Sequence, residues 1–310
     1  SARWVEKFIA AWHFERASSD EGFREGCVVE VRRAVPPPVP HHFQRFDISN
    51  GICYTNQTTS HLAVGNSGIL VHAPESRLVE IWVNEDGREP FSLALARLFF
   101  YGTQAALRRC GLFELHAAGV APPDSDAGVL IVGASGSGKS TFAVRLAQSG
   151  WRYLTDDVIM LGEEDGSRVS AHGLRRVFSL TEATITSCAP PHLERAARAP
   201  LECDPRKRQL DPLVMFPSAF SRRCLPRALF FPVITGEAAS RVTRLSQPEA
   251  MARLLRMCPW SSYDAPVARR HLRVLSLLAR QCDSYSIESG RDIVERPGFA
   301  AELLAAHTKA

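Results

Sequence analysis

The segment Gly133-Ala134-Ser135-Gly136-Ser137-Gly138-Lys139-Ser140 satisfies every fixed position of the pattern G-x-x-x-x-G-K-[ST]. Each residue type answers a need of phosphate binding. Gly133, Gly136 and Gly138 let the backbone wrap an anion with its N–H groups turned inward, and the helix expected next adds partial positive charge at its N-terminus. Lys139 supplies a point charge to the β- and γ-phosphates, and the Ser140 hydroxyl can complete a magnesium shell. Ser135, Ser137 and Thr141 belong to the same cradle. The pattern predicts ATP bound with Mg2+. A Gly/Ser-rich loop that only turns strand into helix is the bland alternative, and the Lys-Ser pair behind an apolar strand argues against it.

Further along, Asp156 and Asp157 are adjacent on the strand expected directly after the loop's helix, not on a strand far downstream. Phosphoryl transfer to a hydroxyl needs a base for the proton, a metal bridging the β- and γ-oxygens, and cations around the moving group. Neighbours on a strand point to opposite faces, so two such carboxylates cannot project identically. At the strand's end, one can meet an acceptor and the other a magnesium shell; a solvated Asp-Asp turn is the alternative. His116 sits in the apolar run Leu115 to Val120, where an isolated histidine is ordinarily a satisfied core residue. Arg206, Lys207 and Arg208 read either as a mobile basic loop closing over phosphates or as a solvated charge run. The pairs Arg175-Arg176, Arg222-Arg223 and Arg269-Arg270 read as surface, and His41-His42 as structural.

These groups need elements to hold them. Gly128 to Val132 reads as a buried strand feeding the loop, Phe113 to Val120 as another, Thr141 to Gln148 as the following helix, and Trp151 to Leu161 as one further strand carrying the aspartates. Downstream, Ala228 to Ile234 and Tyr285 to Ile287 read as strands, Pro248 to Met257 and Pro266 to Gln281 as helices. Upstream lie a helical pattern over Trp4 to Arg16, a strand over Cys27 to Val35, and a Pro36 to Pro40 spacer. Short alternating segments at Gly51 to Tyr54, Leu62 to Val64, Gly68 to Val71 and Val79 to Val83 predict a small antiparallel sheet. Phe91 to Cys110 predicts an amphipathic helix capped by Gly111. The pattern changes at Leu112, which divides the chain into a small α+β N-terminal domain, 1–111, and a catalytic domain, 112–310.

Composition narrows the function classes. With 37 basic and 33 acidic residues the net charge is only +4, and the arginines are scattered, so no nucleic-acid surface is expected. No run approaches the roughly 18 to 20 apolar residues of a membrane span, and the start Ser1-Ala2-Arg3 lacks a signal pattern, which predicts a cytoplasmic protein. The eight cysteines contain no C-x-x-C pair and read as reduced, mostly buried thiols.

The run from Gly128 to Asp157, with Leu115-His116-Ala117-Ala118-Gly119-Val120 upstream, resembles the catalytic core of HPr kinase/phosphorylase. It is closer still to the shorter HPr-kinase-like proteins encoded with peptide-modifying enzymes, including lasso-peptide kinases. Residues 112 to 161 carry the likeness closely; Asp204 to Pro212 and Tyr285 to Gly290 match only in outline. The resemblance implies an α/β fold, a P-loop mixed sheet of the type shared with phosphoenolpyruvate carboxykinase. It implies Asp157 as base, Asp156 with Ser140 as metal ligands, and His116 orienting the acceptor or touching the transferred phosphate. The acceptor it implies is a Ser or Thr hydroxyl on a peptide or small protein, such as the precursor of a ribosomally made natural product, and it leaves room for a homo-oligomer. The glutamate-x-arginine-glycine signature of the bacterial HPr enzymes is absent, so neither HPr recognition nor phosphorolysis is implied. A small-molecule kinase and a non-catalytic, nucleotide-regulated binding module are the rivals; an ABC-type ATPase is disfavoured by the missing leucine-serine-glycine-glycine signature.

Overall fold

The computed structural model describes residues 26–48, 51–84, 93–174, 177–188, 200–201, 204–258 and 264–308. The helix expected over Trp4 to Arg16, the pair Arg175-Arg176 and Cys203 lie outside them. The chain divides into two compact units: one takes in the described residues up to Phe113 together with 264–273, the other 114–258 together with 274–308.

In the first unit, strands β1 (Val28–Arg32), β2 (Gln44–Ile48), β3 (Gly51–Thr55), β4 (Ser60–Val64), β5 (Ser67–Val71) and β6 (Leu78–Trp82) form one sheet in the order β1-β6-β5-β4-β3-β2. From β2 to β6 the pairing is antiparallel, as the alternating segments predict; Gly65-Asn66 makes the two-residue β4–β5 hairpin. The sheet is nevertheless mixed, because β1 runs parallel to β6. The proline-rich segment, without regular structure, belongs to the long connection such a parallel pairing requires. Helix α1 (Leu93–Arg109) packs on β5 and β6 and buries Leu98, Phe99, Ala105 and Ala106. At its end Arg109, with a side chain only 2% exposed, pairs with Asp264 at 2.5 Å and donates to the carbonyls of Thr58 and His72.

The second unit is built from β7 (Leu112–Ala121, from Glu114 on), β8 (Ala127–Val132), α2 (Lys139–Gln148), β9 (Arg152–Thr155), β10 (Val158–Glu164), β11 (Arg168–Gly173), β12 (Phe178–Thr181), α3 (Glu182–Cys188), β13 (Pro200–Leu201), β14 (Asp204–Leu210), α4 (Pro212–Met215), β15 (Arg223–Ile234), β16 (Arg241–Arg244), α5 (Gln247–Arg256), the second part of α6 (Ala265–Gln281, from Val274 on), β17 (Asp283–Ser289), α7 (Asp292–Glu295) and α8 (Phe299–His307). Its main sheet has the order β11-β10-β7-β8-β15-β17-β16, with β9 pairing β7 off that path. Strand β15 is parallel to both β8 and β17, whereas β7–β8, β10–β11 and β16–β17 are antiparallel, so the fold is mixed α/β. Strands covered on both faces read as unbroken apolar runs, which is why β7, β8 and β15 were legible. The buried face of α2 (Phe142, Ala143, Leu146) meets Val129, Ile131, Tyr153, Phe178 and Phe230 in the core. A smaller sheet, β12-β14-β13, is antiparallel.

Two local expectations need correction. The strand expected over Trp151 to Leu161 is two strands, β9 and β10, separated by a bend at Asp156-Asp157. Just before the bend the β7–β9 register shifts between Gly119 and Val120, a bulge-like irregularity. The basic segment Arg206 to Arg208, expected as either a mobile loop or a solvated charge run, lies in strand β14, held in register by β12.

Candidate functional site

The loop 133–138 joins the buried end of β8 to α2. Gly136 and Gly138 have φ of +84° and +98°, a region closed to most L side chains, so these two positions require glycine. Lys139 is the first residue of α2 and is 5% exposed; its Nζ donates to the carbonyls of Gly133 (2.8 Å) and Ala134 (2.9 Å). Burial lowers its pKa from 10.5 to about 8, partly opposed by Asp157 and Asp156, while Lys207 pushes it further down. Ser137 is turned back against Gly133 within the loop.

A cavity of about 130 Å3 opens over the loop, lined among others by Ser135, Gly138, Lys139, Ser140, Asp156 and Asp157. Thr141 also borders it. The bend gives the two aspartates different environments. Asp156 is 3% exposed and accepts the Ser179 backbone N–H through Oδ2 at 3.1 Å. Asp157 is about one-third exposed, and its Oδ1 lies 3.3 Å from His116 Nε2. Its carbonyl accepts the Ala117 N–H at 3.1 Å, stitching the bend to β7 next to that histidine. His116 is the one half-exposed residue between Phe113 and Ala121.

Sequence reasoning finds Thr141 and Lys207 but misses Ser179, Thr181 and Thr184, which also line the cavity. Thr141 Oγ1 is 3.2 Å from Thr184 Oγ1, which is 3.0 Å from Thr181 Oγ1, a row of hydroxyls along one wall. Thr181 also caps α3 by accepting the Thr184 N–H, a helix-start signal readable locally but with nothing to tie it to the glycine loop. Lys207 lines the cavity because it stands opposite Thr181 in the β12–β14 ladder. Arg208 does not line it and instead pairs with Glu182 at 2.8 Å; Arg206 shares the strand.

Among the described residues no three His, Cys, Asp or Glu side chains cluster closely enough to cage a metal. The donors present, the Ser140 hydroxyl and the buried Asp156 carboxylate, fit a small hard cation that draws its remaining ligands from water and phosphate, which is the habit of Mg2+.

No family model matches the chain, and no curated protein matches it. Among solved structures, the Hpr(Ser) kinase/phosphatase from Coxiella burnetii is similar over 63% of this chain and 95% of its own, at 14% identity and a TM-score of 0.31. At that level the likeness assigns neither a family nor an activity.

Proposed function

We propose that the chain is an ATP- and Mg2+-dependent P-loop kinase of the HPr-kinase-like type, transferring the γ-phosphoryl group to a Ser or Thr hydroxyl of a peptide or small protein. The observation that carries this reading is one cavity bordered by the buried Lys139 ammonium, the buried Asp156 carboxylate and the Asp157–His116 pair. Lys139 holds the β- and γ-phosphates, leaving its carbonyl partners for anionic oxygen. Asp157 takes the acceptor's proton as the hydroxyl oxygen bonds to the γ-phosphorus and the bond to the β-bridging oxygen breaks, releasing ADP. His116 orients Asp157 and the acceptor; Lys207 and the threonine row face the transferred group. Ser140 and Asp156 would hold Mg2+, which would supply neutralisation of the phosphate charge.

The peptide acceptor, a natural-product precursor in the first instance, rests on the resemblance of Gly128 to Asp157 to the short peptide kinases. A cytoplasmic protein that binds no nucleic acid belongs to the same reading, which leaves room for a homo-oligomer. No described helix is long and apolar enough to cross a membrane. The test is mass spectrometry of candidate precursor peptides after incubation with ATP and Mg2+, for the native chain and Asp157→Asn. One added phosphate on Ser or Thr, absent with the variant, is the expected result. ATP turnover on small metabolites with no peptide modified would move the acceptor to a small molecule; ATP bound but never turned over would make the chain a binding module.

A further inference from the structure

A second and larger concavity, about 560 Å3, adjoins the glycine loop. The loop's backbone forms one wall, the end of β15 another, and the last turn of α5 with Met257 the third. Val233 and Ile234, which follow the buried run Ala228 to Pro232 of β15, are 55% and 60% exposed there. Ser135, Gly136 and Ile234 line both this groove and the 130 Å3 cavity, so the two form one continuous depression across the loop.

The groove's chemistry is one-sided. It is lined by two guanidinium groups, Arg253 and Arg256, and among the described residues by no carboxylate. Arg253 is fixed, stacked 5.5 Å from the Phe231 ring centroid and donating to Ser286 Oγ at 3.1 Å. Arg256 is exposed and makes no hydrogen bond or ion pair among the described residues. A ligand matching these walls has a flat apolar part and an anionic part that leads onto the loop.

We infer that this groove holds the nucleoside of the bound nucleotide, with the base against Val233, Ile234 and Met257 and the Arg256 guanidinium over its open face. The inference rests on the nucleotide reading above. Among the described residues no Asn, Gln, Asp or Glu lines the groove, and its Ser135 and Ser137 hydroxyls belong to the phosphate loop, so the base is held chiefly by its π-face, with little distinction expected between adenine and guanine.

The test is calorimetric titration of the full chain at physiological ionic strength with ADP, GDP and inorganic tripolyphosphate, comparing wild type with Arg256→Ala, Val233→Ser and their double variant. Both side chains are exposed, and thermal melts check that the variants fold. ADP and GDP bind within about threefold of one another; Arg256→Ala weakens both about tenfold and Val233→Ser about threefold, while tripolyphosphate stays within about twofold. If wild type binds ADP and neither variant weakens it beyond twofold, the nucleoside lies elsewhere and the nucleotide reading survives. A preference above about tenfold for one purine overturns the π-face recognition. If wild type binds neither ADP nor tripolyphosphate, the nucleotide reading falls and the groove assignment with it.

Discussion

On the proposed reading, binding of a polyphosphate to the glycine loop is expected to draw a proton onto Lys139. In the free chain the ammonium sits in a loop that leaves it 5% exposed, and burial brings its pKa from 10.5 to about 8. At 1.36 kcal/mol per pKa unit, holding that charge in the loop costs about 3 kcal/mol relative to water. A triphosphate laid against the loop adds negative charge at hydrogen-bonding distance and restores the preference for the ammonium. At pH 8 about half of the free-protein amines are neutral, so each ATP takes up about 0.5 proton; at pH 6.5 the uptake is about 0.03 and at pH 9 about 0.9. Calorimetry at pH 8 in Tris and in HEPES, whose protonation enthalpies differ, reads this number directly. Lys139→Arg is the control, because a guanidinium does not titrate in this range and its uptake is expected to vanish. ATP binding without proton uptake at pH 8, or equal uptake by the Arg variant, would refute the reasoning. The same shift has a signature in stability. With the folded pKa below the unfolded one, the unfolded chain binds more protons between pH 8 and 10.5, so this group makes stability rise with pH across that window.

Replacing Asp157 by Asn removes the proposed base while leaving the loop intact; phosphoryl transfer measured by radiolabel is expected to fall about 10²- to 10⁴-fold with ADP affinity within a few-fold. Asp156→Ala strips the Ser179 backbone N–H of its buried acceptor and is expected to cost about 1–3 kcal/mol in urea melts, besides its effect on turnover. In the first unit, Arg109→Ala removes the ion-pair partner of Asp264, which keeps only the Val267 N–H among the described residues, and about 3 kcal/mol of stability is expected to be lost. Maleimide at pH 7.5 is expected to modify exposed Cys110 first; burial pushes the thiols of Cys53 up to about 11 and Cys224 to about 12, and both should react only after unfolding.

Much of the second unit could be read from apolar runs, because strands buried on both faces leave a continuous signature and the glycine loop needs only a strand before it and a helix after it. The bend at Asp156-Asp157 could not, since apolar residues flank the pair on both sides and a continuing strand would look the same. Beside it lies a register change against β7, dozens of residues away in the chain, which the local sequence does not announce. Strand β14 was hidden for another reason. Its Arg-Lys-Arg-Gln run lacks the alternation of a half-buried strand, and only pairing with β12 reveals why Lys207 reaches the cavity while Arg208 turns to Glu182. The groove beside the loop was equally illegible, because Val233 and Ile234 look like the tail of a core strand.

The bend between β9 and β10 is two residues long, and both are spoken for: one is closed in against the Ser179 backbone, the other opens toward His116. It has no slack. Losing or gaining a single residue between Thr155 and Val158 would shift each carboxylate into the other's place or send the following strand out of step with its neighbours. Chain length at this point is therefore as constrained as residue identity, and the seam can change through evolution only by substitution. The Asp165-Gly166 turn at the far end of β10, exposed and outside the cavity, is where the same hairpin can lengthen freely.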